Sequence, residues 1–138
     1  MTYYTATIYN SSGHKITILP FIYGIVNSTD TIKLNEGDSF LLAEGIFDGD
    51  VLNPGFVSNR FNGPVDSTLV LFDNQYKMMH YTYVPDSLKG NYYLYDNPRN
   101  LWNSTISYEF TRIKDKNDNY TNVHKYIFTE QDYLDARE

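Results

Sequence analysis

Cysteine is absent from the 138 residues, which excludes disulfides, thiolate metal sites and cysteine nucleophiles. The compartment stays open, because export permits disulfides without requiring them. Alanine is nearly absent too: Ala6, Ala43 and Ala136 are the only ones. A helical chain of this length would use many more, since alanine is the best helix former. Basic residues are outnumbered, with 11 Lys and Arg against 17 Asp and Glu and a formal charge of −6. Without a basic footprint to release counterions, nucleic acid is not an expected partner, and an anionic membrane surface is disfavoured for the same reason. No apolar run approaches the ~20 residues of a transmembrane helix.

Aromatic and β-branched residues fill the place left by alanine. The chain holds 14 Tyr, 8 Phe and 1 Trp, an aromatic share of 17%. Such side chains suit a pleated, half-buried surface, so the composition favours strands. A chain of this length buries about two-thirds of its unfolded surface, enough for one core without metals or staples. One domain spanning residues 1–138 is expected, with no linker and no repeat of fixed period.

Alternation places the strands. In "YYTATIY", residues 3–9, Tyr4, Ala6 and Ile8 share one side. "NSSG" then reads as a turn and "KITILPFI" as a returning strand, together an N-terminal hairpin, with Pro20 implying that the second strand is at an edge or ends nearby. "TIKLN", the turn "EGD" and "SFLLAEGIF" follow. "STLVLFD" and "YKMMHYTYV" around "NQ" read as a second hairpin. "STISYEFTRI", residues 104–113, alternates most cleanly, which would put Ile106, Tyr108 and Phe110 in the core, and "VHKYIF" pairs back after "KDKNDN". At the end, Thr129 and Asp132 form a capping-box-like start for a short helix that must dock through Tyr133 and Leu134. About nine short strands with turn signals between them predict an all-β fold: a single antiparallel β-sandwich or partly open barrel, closed by one C-terminal helical turn.

Two stretches stand out as candidate sites. "NYYLYDNPRNLWNSTISYEF", residues 91–110, concentrates tyrosines and the only tryptophan. Tyr can serve a core and a surface at once, so the bland reading is core and rim packing. The functional reading takes Trp102, Tyr93 and Tyr95 as stacking rings, with Asn97 and Arg99 supplying polar contacts to a sugar or a protein. The second stretch, 48–64, is rich in Gly, Asn and Pro, and long loops in compact domains are often functional. Asp48, Asp50 and Asn53 are its polar candidates, with a solvated loop the plainer reading.

Catalytic signatures are missing. There is no nucleophile elbow, phosphate loop or dinucleotide fingerprint. His14, His80 and His124 stand singly, in structural or solvent-facing roles. "DKNDNY" begins like a calcium loop, but Tyr120 replaces the required glycine and Tyr126 the bidentate glutamate, so it reads as a hairpin loop. No cofactor and no metal are expected.

The segments "NSSGHKITI", "DTIKLNEGDS", "DSTLVLFDNQYKMMHY" and "YIFTEQDYLDA" give the chain a pattern that resembles small secreted lipoprotein domains of Bacteroidetes. The resemblance implies export, a lipidated cysteine upstream of Met1, and tethering in the cell envelope. It also implies O-glycans at Asp-Ser/Thr followed by a small or aliphatic residue, which places them on Thr31, Ser67 and Ser87; the same dipeptides also simply mark turns. The leading expectation is a non-enzymatic envelope domain binding a glycan or an envelope protein. One alternative is a cytosolic acidic protein of the toxin-neutralising immunity type, and another is a small glycan hydrolase with two facing carboxylates.

Overall fold

In the computed structural model, which describes residues 1–26, 30–49 and 65–138, alternation becomes burial strand by strand. Along β1 (Thr2–Ser11), Ala6, Ile8 and Asn10 are buried while Tyr3 faces out. The chain continues through β2 (Ile16–Ile22), β3 (Ile25–Val26), β4 (Ile32–Leu34), β5 (Ser39–Phe47), β6 (Val65–Phe72) and β7 (Tyr76–Tyr81). It ends with β8 (Tyr92–Tyr93), β9 (Glu109–Lys114), β10 (Tyr120–Thr129) and α1 (Glu130–Arg137).

The strands form two sheets. One has four strands in the order β5-β1-β10-β9; the other has six, in the order β3-β2-β6-β7-β8 with β4 also on β2. The sheets pack as two layers, and among the described residues no closed barrel forms, in line with the sandwich expected from the sequence. Both sheets are mixed: β1 runs parallel to β10, and β7 parallel to β8. Between the layers lie Ile8, Ile16, Ile18, Leu42, Phe72 and Phe128, each fully or almost fully buried. Each such side chain contributes about 1.5–3 kcal/mol from burial.

The expected N-terminal hairpin does not form. Strand β1 pairs with β10 and β5, whereas β2 pairs with β6, β3 and β4 in the other sheet. "NSSG" is therefore a corner at which the chain changes layers. Asn10 builds it: its Nδ2 donates to His14 O at 2.7 Å and to Leu34 O at 3.1 Å, and its Oδ1 accepts from Ser12 Oγ at 2.7 Å. The "EGD" segment is a second corner, taking the chain back from β4 to β5. The two corners are tied together, Asn10 N donating to Asp38 O at 2.9 Å and Gly37 N to Asn10 O at 2.8 Å.

Strand β2 is an inner strand, but it ends close to Pro20, at Ile22, which is the second of the two placements the proline allowed. Strand β3 ends at Val26 beside Phe21 and β4 begins at Ile32 beside Ile18, so among the described residues β6 is the strand that pairs with the proline. The β6–β7 hairpin forms as expected, turning through Asp73 and Asn74, both at φ 56°. The β9–β10 hairpin forms too, around Asp115, whose Oδ1 accepts the N–H groups of Asn117 at 2.8 Å and Asn119 at 3.1 Å. These bonds, that from Asn119 first, hold the Asp115 carboxyl below the ordinary range.

Strand β9 starts later than its alternation suggests. Residues 104–108 run as turns; Tyr108 is buried, but Ile106 and Phe110 are exposed, so the expected core face is halved. The helix is capped as expected, Thr129 N donating to Asp132 Oδ2 at 2.8 Å. It docks through Tyr133, Asp132 and Ala136, with Leu134 left exposed. The ring of Tyr133 stacks on His14 at 3.5 Å between centroids and meets Phe72 and Tyr76 edge-on.

Candidate functional site

The segment after β8 has little ladder to hold it. Its backbone is bound by asparagines spaced three apart, Asn97, Asn100 and Asn103, each folding the chain over itself. Asn97 Oδ1 accepts Arg99 N at 2.7 Å, Asn100 Oδ1 accepts Trp102 N at 2.8 Å, and Asn103 Oδ1 accepts Thr105 N at 3.2 Å. These are Asx turns, the alternative to helix or ladder that Asn side chains offer a backbone. The amide ends tie the segment to the sheet: Asn100 Nδ2 donates to Tyr81 O and Tyr93 O, and Asn103 Nδ2 to Tyr95 O at 2.8 Å. The three-residue spacing of these asparagines is the sequence signal of the turns, one that strand alternation does not register.

These turns bury Trp102. Its ring is 5% exposed and its Nε1–H donates to Thr68 Oγ1 on β6 at 2.7 Å. Beside it, Leu101 N donates to His80 Nδ1 at 2.9 Å, so that nitrogen carries no proton and the ring is neutral. Burial, reinforced by the nearby Arg99 charge, lowers the His80 pKa to about 3.

Arg99 is the centre of a second set of bonds. Its guanidinium grips Asp132 with Nε at 2.9 Å and Nη2 at 2.5 Å, and Nη2 also donates to Ile127 O at 2.7 Å. The guanidinium carbon stands 4.5 Å from the centroid of the Tyr126 ring, whose hydroxyl donates to Arg99 O at 2.6 Å. Burial is the largest influence and works against the Arg99 charge, but the bonds to Asp132 together with the charge interactions of Tyr126, Asp132 and Tyr93 outweigh it and raise the pKa. Tyr93 joins from β8, its hydroxyl donating to Asp135 Oδ2 at 2.7 Å and Asp132 Oδ1 at 3.2 Å. Burial first, then the two carboxylates, push its pKa up.

The sequence-selected residues therefore come together in part. Tyr93, Asn97, Arg99 and Trp102 share one region, where Trp102 and Tyr93 are buried and offer no ring face for stacking. Tyr95 remains exposed, and so does Tyr92, which the sequence reading had not selected. Tyr92, Tyr93, Asn97 and Asp135 line a shallow surface depression of about 280 Å³ that also reaches Asn91 and Glu138. Asp132 and Asp135 were missed because they lie far along the chain in a helix that looked purely terminal. Of the loop candidates, Asp48 is exposed and bears no resolved link to this region, while Asp50 and Asn53 lie outside the described residues. Ser87 is exposed, whereas Thr31 and Ser67 are half-buried. Among the described residues no cluster of three or more His, Asp or Glu could hold a metal.

Comparison with known proteins gave no match: no family model, no curated protein and no solved structure is similar to this chain. Among the described residues no helix is long and apolar enough to cross a membrane.

Proposed function

We propose that the protein is a non-enzymatic binding domain of the bacterial cell envelope that takes a glycan at the depression beside Tyr92. The observation that carries this reading is the depression itself, where an exposed Tyr92 ring stands beside Asn97, Asp135 and Asn91. A ring face suits the C–H face of a sugar, and fixed acceptors suit its hydroxyls. The floor is rigid, because Tyr93 and Asn97 are tied into the Arg99 and Asx-turn bonds; a preformed site loses less ordering entropy on binding. The envelope location and the modifications at Thr31, Ser67 and Ser87 rest on the resemblance alone.

The hydrolase alternative has less support. Asp132 is nearly fully buried and committed to Arg99, and Asp135 accepts from Tyr93 and from Gln131, so neither carboxylate stands free to move a proton to a substrate. The test is a glycan array followed by calorimetry of any hit. Tyr92→Ala is expected to weaken a true ligand at least tenfold, on the order of 1.4 kcal/mol. A hit that Tyr92→Ala leaves unchanged would move the ligand elsewhere, and no hit would point to a protein ligand instead.

A further inference from the structure

At one end of the six-stranded sheet, two loops expose apolar side chains that the depression does not use. The β2–β3 turn presents Tyr23 (78% exposed), Ile25 (72%) and Val26 (43%); the segment after β7 presents Tyr83 (64%) and Val84 (67%). Isolated apolar residues on a surface need no explanation, but a group of this kind does.

The two loops are held together by Asp66. Its Oδ2 accepts Gly24 N at 2.8 Å, and its carbonyl accepts Thr82 N at 3.0 Å and Tyr83 N at 3.3 Å. One residue at the start of β6 thus positions both tips.

Backbone geometry adds an independent sign of selection for the surface. Tyr23 and Gly24 form a two-residue turn with φ of 53° and 76°. Both values are positive, and hairpin turns of this kind favour Asn, Asp or Gly at the first position. A bulky residue there costs folding free energy, and at 78% exposure Tyr23 recovers little of it by packing.

Charge selects the partner. No charged residue occurs in 19–26 or 81–85, the carboxylate of Asp66 is bonded to Gly24 N, Asp30 and Asp86 flank the two stretches in sequence, and the whole chain carries −6. Anionic lipid and a second copy of the same acidic chain are both disfavoured. Five side chains on two turn tips are far fewer than the roughly 20–30 residues a side of a stable protein interface. An interfacial lipid layer asks for no matching surface, and Tyr rings sit well at the boundary of headgroup and acyl chain.

We propose that the Tyr23–Val26 turn and Tyr83–Val84 form a paired tip that inserts into the interfacial layer of an uncharged, zwitterionic lipid surface. The inference goes beyond the glycan reading, and none of the five residues lines the depression.

Co-sedimentation with phosphatidylcholine vesicles tests it. The wild type is expected to pellet with lipid at millimolar concentration, and Ile25→Ser/Val84→Ser to partition on the order of tenfold more weakly, with its denaturation midpoint unchanged because both positions are exposed. Tyr23→Asn is expected to move the two properties in opposite directions, weakening vesicle binding while holding or raising the midpoint. Tyr23→Trp should show a blue shift in emission on adding vesicles. The proposal is overturned if the wild type stays in the supernatant, if the variants bind as the wild type does, or if phosphatidylserine vesicles bind more tightly than neutral ones.

Discussion

The β6–β7 hairpin and the 91–108 segment are both rich in aromatic and apolar residues, yet they are held in different ways. The hairpin is a run of backbone pairs, Ser67 with Tyr81 through Phe72 with Tyr76, and its side chains only choose faces. In the segment the ladder to the sheet is limited to Tyr92 and Tyr93, with Met79 N donating to Asn91 O; beyond it a few backbone turn bonds, such as Asn100 N to Asn97 O, are reinforced by side chains, chiefly three asparagines, Arg99 and Asp132. A ladder spreads its stability over many bonds, each replaceable. A side-chain network concentrates it, and each loss strands a buried partner.

The largest expected break follows from that concentration. Arg99→Met leaves the carboxylate of Asp132, 2% exposed, without its counter-charge, and is expected to cost about 3–5 kcal/mol by chemical denaturation. Arg99→Met/Asp132→Leu should recover part of that loss, and only part, because Asp132 also caps the helix.

Matched substitutions of asparagine sharpen the contrast. Asn100→Ala removes the acceptor of Trp102 N and the donor to two carbonyls, and should cost about 2–3 kcal/mol in the same measurement. In the hairpin turn, Asn74→Ala loses the ease with which Asn adopts φ of 56° and one long, exposed bond from Thr17 Oγ1 at 3.5 Å, about 1 kcal/mol in all. Equal costs would mean that the two regions are held alike.

His80 joins the regions, since it lies on β7 and accepts from Leu101. Its folded pKa of about 3 is below the ordinary 6.5, so the folded state binds fewer protons than the unfolded one. The stability this provides is complete above pH 6.5 and is lost as the pH falls toward 3, at about 1.4 kcal/mol per unit. At pH 5 the wild type should have lost about 2 kcal/mol on this account. His80→Gln should show a flatter acid limb in a pH series of denaturation curves, the carboxylates being common to both proteins.

The smallest effect is expected at the rim. Tyr95→Ala, at an exposed ring, should shift stability by less than about 0.5 kcal/mol.

The same difference decides what the sequence could reveal. Ladder structure leaves a period in the sequence, and the β6–β7 and β9–β10 hairpins, the two-layer all-β class and the helix start at Thr129 were all legible. Alternation tells which side chains share a face but not which strand lies beside them. Hence β1 was assigned to β2, when the corner built by Asn10 sends them into different sheets and the parallel partner, β10, lies at the far end of the chain. Phe110 and Ile106 had the right parity with Tyr108, but an alternating run need not be a strand throughout. In the candidate site, Arg99 and Tyr93 were selected for contact with a ligand, whereas their polar atoms are turned toward Asp132 and Asp135, residues that only the fold brings near.

Trp102 gives the most direct test, because it is the only tryptophan and reports on the segment without labelling. The segment's bonds bury this ring as part of the architecture. Native fluorescence should then show blue-shifted emission with little quenching by acrylamide, reverting to the exposed spectrum in the same denaturation that unfolds the sheets. Red-shifted emission with free quenching in the native protein would contradict the account, and would return the ring to the surface as a candidate for binding.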